Sequence, residues 1–189
     1  TEVGTIVLSH GHWDHAGGLL AAVEAAARAR PGEGVDCYVH PGMFSQRATP
    51  RQNGELLVHE PVPDPIKLAK AGARITNTRE PQVVGAGAFY VSGEIPRLTK
   101  YEMGLPGQVR RSEDGQSWEP DPLLMDERFI SVHVKEKGQF VFSACSHAGL
   151  INLESQWGTS DSIYHREVSA GGPVWEQGKV WKEQNPIRF

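Results

Sequence analysis

The stretch His10-Gly11-His12-Trp13-Asp14-His15 decides how the rest of the chain is read. It sets four potential metal ligands within six residues. An apolar, β-rich run, Thr5-Ile6-Val7-Leu8-Ser9, precedes it and reads as a strand covered on both faces. Gly17-Gly18 and an Ala-rich segment come next, and the spacing predicts a helix over 17–30 with Leu19, Val23 and Ala27 on one face. Arg28 and Arg30 complement the dipole at its end, and Pro31-Gly32 stops it. A strand, a ligand-dense turn and a helix together form a way to build a metal site.

Neutral imidazole and carboxylate are good zinc ligands. In an extended turn, residues i and i+2 project to the same side, so His10 and His12 can grip one ion. Asp14 and His15, entering the helix, point differently and suit a second ion. Two ions about 3.5–4 Å apart share a water and lower its pKa towards neutrality. Asp14 is then also the candidate general base. The first ion needs a third ligand, and His147 is the candidate because it ends a strand as His10 does. The contexts match: Leu8-Ser9-His10-Gly11 and Cys145-Ser146-His147-Ala148-Gly149. Were the two strands neighbours in one sheet, both histidines would emerge at the same edge. Cys145 could lie near the metals but reads rather as a packed small hydrophobe, and His40 reads as a structural histidine.

Outward from the motif, residues 35–39 read as a second strand, parallel to the first through a right-handed crossover. Residues 44–65 are polar and turn-rich apart from Leu56-Leu57-Val58. Asp64 caps a predicted helix over 65–71, with Pro65 at its first position and Gly72 ending it. Strands are expected over 73–76 and 88–92. The Gly-, Pro- and charge-rich segment 100–127 reads as a long loop. Residues 129–134 alternate, with Ile130, Val132 and Val134 on one face and Ser131 and His133 on the other. A turn at Lys137-Gly138 returns the chain as a strand over 139–143.

The bulk properties bound the function. The 189 residues suit one domain, and 39% hydrophobic with 22% charged residues is enough to build a core. A net charge of −4 supplies no basic field for nucleic acid. The longest apolar stretch is interrupted by Glu24 and too short to span a bilayer, so no membrane association is expected. Two cysteines make no disulfide framework and imply free thiols in a reducing, cytoplasmic compartment. The expected partner is a small-molecule substrate.

Taken together, several phrases resemble one family. They are Leu8 to His15 with Gly17-Gly18-Leu19, Ser92-Gly93-Glu94-Ile95-Pro96-Arg97, Asp126-Glu127 before the hairpin, and Phe142-Ser143-Ala144-Cys145-Ser146-His147-Ala148-Gly149. They resemble the metallo-β-lactamase superfamily, in a branch similar to the archaeal dihydropterin-(ribofuranosyl)aminobenzene-phosphate synthase-like metallohydrolases. The resemblance implies an α/β (α+β) fold, here a partial αββα sandwich over residues 1–155. It implies one or two divalent ions held by His10, His12, Asp14, His15 and His147, zinc most often, with manganese or iron as alternatives. It implies a hydrolase that activates water against a phosphate, ester or amide bond, with Glu94 and Arg97 near the substrate. Set against the family, the chain reads as incomplete at both ends. Residues 156–189 read as an atypical segment in which Asp161 and His165 are the only later ligand candidates. The competing reading is a catalytically impaired fragment that serves as a metal-binding or interaction module.

Overall fold

The computed structural model describes residues 2–156 and the backbone of one further strand, Ile163–Glu167. In chain order the first elements are β1 (Thr5–Val7), α1 (Trp13–Ala16), α2 (Leu19–Ala29) and β2 (Val35–Val39). A short 3-10 turn at Pro41–Phe44 leads to β3 (Arg47–Pro50), β4 (Leu56–Val58), α3 (Pro65–Lys70) and β5 (Ala73–Asn77). Next come β6 (Gln82–Val84), β7 (Phe89–Val91), β8 (Val109–Arg111) and β9 (Trp118–Pro120). The hairpin β10 (Ile130–Val134) and β11 (Gly138–Ser143), α4 (Leu150–Ser155) and β12 (Ile163–Glu167) complete the order. The side chains of Asp161 and His165, and most of the segment 156–189, lie outside the described residues.

Three sheets organise these elements. The first has the order β1-β2-β5 and is parallel throughout, as the β–α–β reading of its first two strands requires. Helices α2 and α3 cover it. In α2 the buried residues are Leu19, Val23 and Ala26. The expected third position was Ala27. At 3.6 residues per turn, Ala26 returns closer to the face of Leu19 than Ala27 does. In α3, the Asp64 carboxylate accepts the Ile66 N–H at 2.6 Å, the expected cap. Gly72 then turns the chain with φ at +107°, a conformation that favours glycine. Leu8, Val23, Cys37, Val39, Met43 and Leu68 form the core of this layer.

The second sheet has the order β12-β11-β10-β7-β6, and α4 packs on it through Leu153 beside Ile95, Phe129, Val141 and Ala148. Helices outside, two sheets within: this is the layering that the resemblance implies. The hairpin pairs as read, with Ile130 opposite Phe142 and Val134 opposite Gly138. Its burial is the reverse of the simple expectation. Ser131 is fully buried, whereas Val134 and Phe142 are exposed. The Ser131 side of the sheet, shared with Val141, faces the α4 core; the Ile130 side faces a cavity between the two sheets. Strand β1 likewise is only half buried, because it is the outer strand of its sheet among the described residues.

The segment 100–127 is not a structureless loop. It contributes β8 and β9 to a third sheet of order β4-β3-β8-β9, pairing with strands from the other polar stretch. Neither stretch shows a two-residue period, since these strands are three or four residues long and most of their residues are half-buried or exposed. One ion pair system fixes this sheet to the rest. Buried Arg47 on β3 donates from Nε to Asp121 at 2.8 Å and from Nη2 to Asp126 at 2.6 Å. Among the described residues no helix is long and apolar enough to cross a membrane. Replacing Arg47 with Met leaves two buried carboxylates without a counter-charge. Urea denaturation should show a loss of about 3–5 kcal/mol, the usual cost of breaking a buried pair from one side.

Candidate metal centre

The ligand motif begins extended and then turns into a helix. His12 stands at the N-cap of α1 with φ −75° and ψ 141°, so His10 and His12 leave the backbone on one side. Their ring centroids are 4.7 Å apart. The His147 ring lies 5.1 Å from that of His10 and 4.9 Å from that of His12. One nitrogen from each of the three can meet within 4.8 Å of the others. The expected trio therefore assembles, by a different route from the one the sequence suggested. β1 and β11 belong to different sheets, and the two histidine loops meet across the gap between sheet ends rather than along one edge.

His10 is the hub. It is fully buried, and its ring also lies 4.5 Å from that of His15. His15 Nε2 is 3.1 Å from the Cys145 sulfur and 3.5 Å from an Asp14 oxygen. His10, His15 and Cys145 form a second group whose ligand atoms converge within 4.8 Å. Cys145 is thus not a packed small hydrophobe but a thiol at the site. Its place two residues before His147 was the available signal. Asp14 is mostly exposed, with its carboxylate at the outer side of His15.

Electrostatics prepare these groups for a cation. Burial, reinforced by the neighbouring imidazoles, pushes His10 down to about 2 and His12 down to about 4. Burial also lowers His147. The three rings are neutral at pH 7, the state in which imidazole binds metal. The Nε2 atoms of His12 and His147 are buried without a hydrogen-bond partner among the described residues. Such orphaned acceptors or donors are costly unless something coordinates them. The donor set and its orphaned nitrogens fit a divalent ion.

A short acidic segment holds both ligand loops, and its role is not visible from the sequence. Asp126 accepts the Gly11 N–H at 2.8 Å and also binds Arg47. Burial alone would raise its carboxyl, but the Arg47 charge and hydrogen bonds and the Gly11 N–H hold it below the ordinary range. Glu127 accepts the N–H groups of His147 at 2.9 Å and Ala148 at 2.5 Å. Burial pushes its carboxyl up, against the pull of those two donors. The Arg128 N–H donates to the Ser9 carbonyl at 2.8 Å. Gly11 must be glycine here, since a Cβ would lie 2.5 Å from the Met43 carbonyl oxygen. Between Cys145 and His147, Ser146 holds φ at +54°, backbone strain of the kind found at functional turns.

Glu94 and Arg97, expected near substrate, are engaged in the fold. Glu94 binds His40 Nε2 at 3.1 Å and Arg79 Nη1 at 2.8 Å. Arg97 donates to the carbonyls of Ile95, Leu123 and Leu124. His40 has the structural part expected of it, with Nδ1 accepting from the Gly42 N–H at 3.0 Å.

Comparison with known proteins agrees with this arrangement. Residues 2–94 match the sequence model of the metallo-beta-lactamase superfamily, and the chain carries a domain of that superfamily. A curated relative, 7,8-dihydropterin-6-methyl-4-(beta-D-ribofuranosyl)-aminobenzene-5'-phosphate synthase of Methanocaldococcus jannaschii, is 26% identical over 156 residues. That alignment covers 80% of this chain and 49% of the relative. A crystal structure of a metal-dependent hydrolase of the beta-lactamase superfamily superposes with a TM-score of 0.62 at 19% identity. The superposition covers 87% of this chain and 55% of that one. The chain therefore spans about half the length of the proteins it matches.

The depressed imidazoles carry a pH consequence for the metal-free chain. His10 and His12 titrate at about 2 and about 4 when folded, against 6.5 ordinarily, so the unfolded chain binds more protons between those values. Their contribution is fully present above pH 6.5 and is lost as pH falls through the folded values. After chelation, the urea midpoint should fall steadily from pH 7 to pH 4.5; a flat profile would contradict the buried, neutral trio.

Proposed function

We propose that this chain is a metal-dependent hydrolase that activates water against a phosphate, ester or amide bond of a small-molecule substrate. The observation that carries the reading is the convergence of His10, His12 and His147, all neutral, with two orphaned ring nitrogens. In this proposal those three hold a first divalent ion, zinc being well suited to an all-imidazole donor set. His15, Asp14 and Cys145, on the other flank of His10, are the candidates for a second. A bound ion supplies Lewis-acid polarisation and a water of lowered pKa.

The chain's own residues do the rest. Burial keeps the imidazoles unprotonated, so no proton competes for the ligand nitrogens. Asp126 and Glu127 fix the two loops through backbone N–H groups, which sets the ligand spacing before any ion arrives. The Asp14 carboxylate, exposed beside His15, is placed to accept a proton from an attacking water. Cys37 and Cys145, both thiols outside any disulfide, support a reducing, cytoplasmic setting.

Metal analysis of the purified chain should find zinc, or bind manganese or iron on reconstitution. His147→Ala and His12→Ala should each weaken zinc binding at least tenfold, about the lower bound seen even for second-sphere changes. With cobalt in the site, Cys145→Ser should remove a thiolate charge-transfer band if the thiol ligates. Turnover of phosphodiester, ester or amide probes, lost in Asp14→Asn, completes the test. Metal binding with no turnover of any probe would replace the hydrolase reading by that of a metal-binding module; no metal binding at all would overturn both.

A further inference from the structure

His10 is the one ligand candidate shared by both convergent groups, His10 with His12 and His147, and His10 with His15 and Cys145. Its ring is fully buried, and burial with the neighbouring imidazoles keeps it neutral at pH 7. A neutral imidazole carries one N–H and one lone pair, so only one of its two nitrogens can hold an ion. Which nitrogen that is depends on the hydrogen bond made by the other.

The two nitrogens of His10 have different neighbours. Nδ1 lies 3.1 Å from the Ser9 hydroxyl. Nε2 lies 3.1 Å from His12 Nδ1, so it is the nitrogen turned towards the other ligand candidates. A hydroxyl both donates and accepts, so Ser9 taken alone fits either tautomer. His12 decides between them. With its proton on Nε2, His10 would donate to His12 Nδ1, and the single proton of neutral His12 would have to sit on His12 Nε2. That atom is buried without a hydrogen-bond partner among the described residues. A buried N–H left unmet is rarer in folded proteins than a buried acceptor left unmet. With its proton on Nδ1, His10 donates to Ser9 Oγ instead, and its Nε2 keeps the lone pair and accepts from His12 Nδ1. Every N–H of the pair is then met.

We propose that Ser9 is a positioning residue of the metal centre: its hydroxyl accepts the Nδ1–H of His10 and so holds the ring in the tautomer whose Nε2 lone pair is offered to the ion. The inference rests on the metal-centre reading under Proposed function and adds to it the residue that sets the state of its most buried ligand. Ser9 is itself held for this part. Its carbonyl accepts the Arg128 N–H at 2.8 Å, and Arg128 directly follows the Asp126–Glu127 pair that grips the two ligand turns. One segment therefore fixes Gly11 and His147 through their backbone and, by way of Ser9, the ring of His10. The partner at a ligand's second nitrogen ordinarily contributes tenfold to a hundredfold in metal affinity. An alanine at position 9 would leave Nδ1 without its acceptor and free the proton to move to Nε2, where it blocks the ion.

The test reads the tautomer directly, in the full metal-free chain, by proton–nitrogen correlation NMR of the histidine rings. His10 should be protonated at Nδ1 in the wild-type chain, and Ser9→Ala should shift that proton to Nε2. Zinc affinity, measured by chelator competition, should fall about tenfold to a hundredfold in Ser9→Ala and recover in Ser9→Thr, which restores the hydroxyl. A role in packing alone would lower the melting temperature and leave the His10 proton where it was, and that result would overturn the proposal. So would His10 protonated at Nε2 in the wild-type chain, or zinc affinity unchanged in Ser9→Ala. Absence of zinc binding by a wild-type chain whose His10 carries its proton on Nδ1 would overturn the metal-centre reading itself, and with it the part given to Ser9.

Discussion

Two adjacent carboxylates hold this structure's chemistry in place. Asp126 and Glu127 stand just before strand β10 and reach in opposite directions. The first binds the backbone of the His10–His15 turn through Gly11, and the second binds the backbone of the His147 turn. The two turns come from different sheets, so no hydrogen-bond ladder sets their separation. The clamp does. It is in turn anchored by Arg47, which ties the third sheet to the same point. The polar cost of burying these groups is offset by the donors that meet their oxygens. A looser arrangement of the same histidines would leave imidazoles that fail to converge.

The same burial that makes the clamp strong also prepares the ligands. His10 has three further imidazoles around it, with ring centroids 4.5–5.1 Å from its own, and protonating it together with His12 or His147 would set like charges side by side. The chain answers this repulsion by keeping the buried rings of His10, His12 and His147 neutral. Neutral rings with orphaned nitrogens are what a divalent ion requires, and they are a liability without one. Stability and metal affinity are therefore two readings of one arrangement. Loss of the cation should be felt by the fold as well as by the chemistry.

The superfamily relationship fits this physical picture and bounds its functional meaning. The fold is shared with a solved structure of which this chain covers 55%, and a curated relative is matched over 49% of its length. Of the two residues expected near substrate, Glu94 meets His40 and Arg79, and Arg97 meets backbone carbonyls. Function in such folds depends on the site as built, not on the architecture.

Local patterns determined much of this protein. Ligand spacing across His10, His12, Asp14 and His15 follows from an extended turn entering a helix, and the β1–α2–β2 unit follows from periodicity and stop signals. The Asp64 cap and the β10–β11 hairpin were equally legible, because each depends on residues a few positions apart. What only the tertiary structure decided depends on long-range pairing. The short strands β3, β4, β8 and β9 have too few residues to carry a period. The face of β10 that is buried was set by where α4 packs. Cys145 joined the metal centre, and Asp126 and Glu127 became its clamp, because contacts between residues far apart in sequence, such as Gly11 with Asp126, His15 with Cys145 and His147 with Glu127, are created by folding alone.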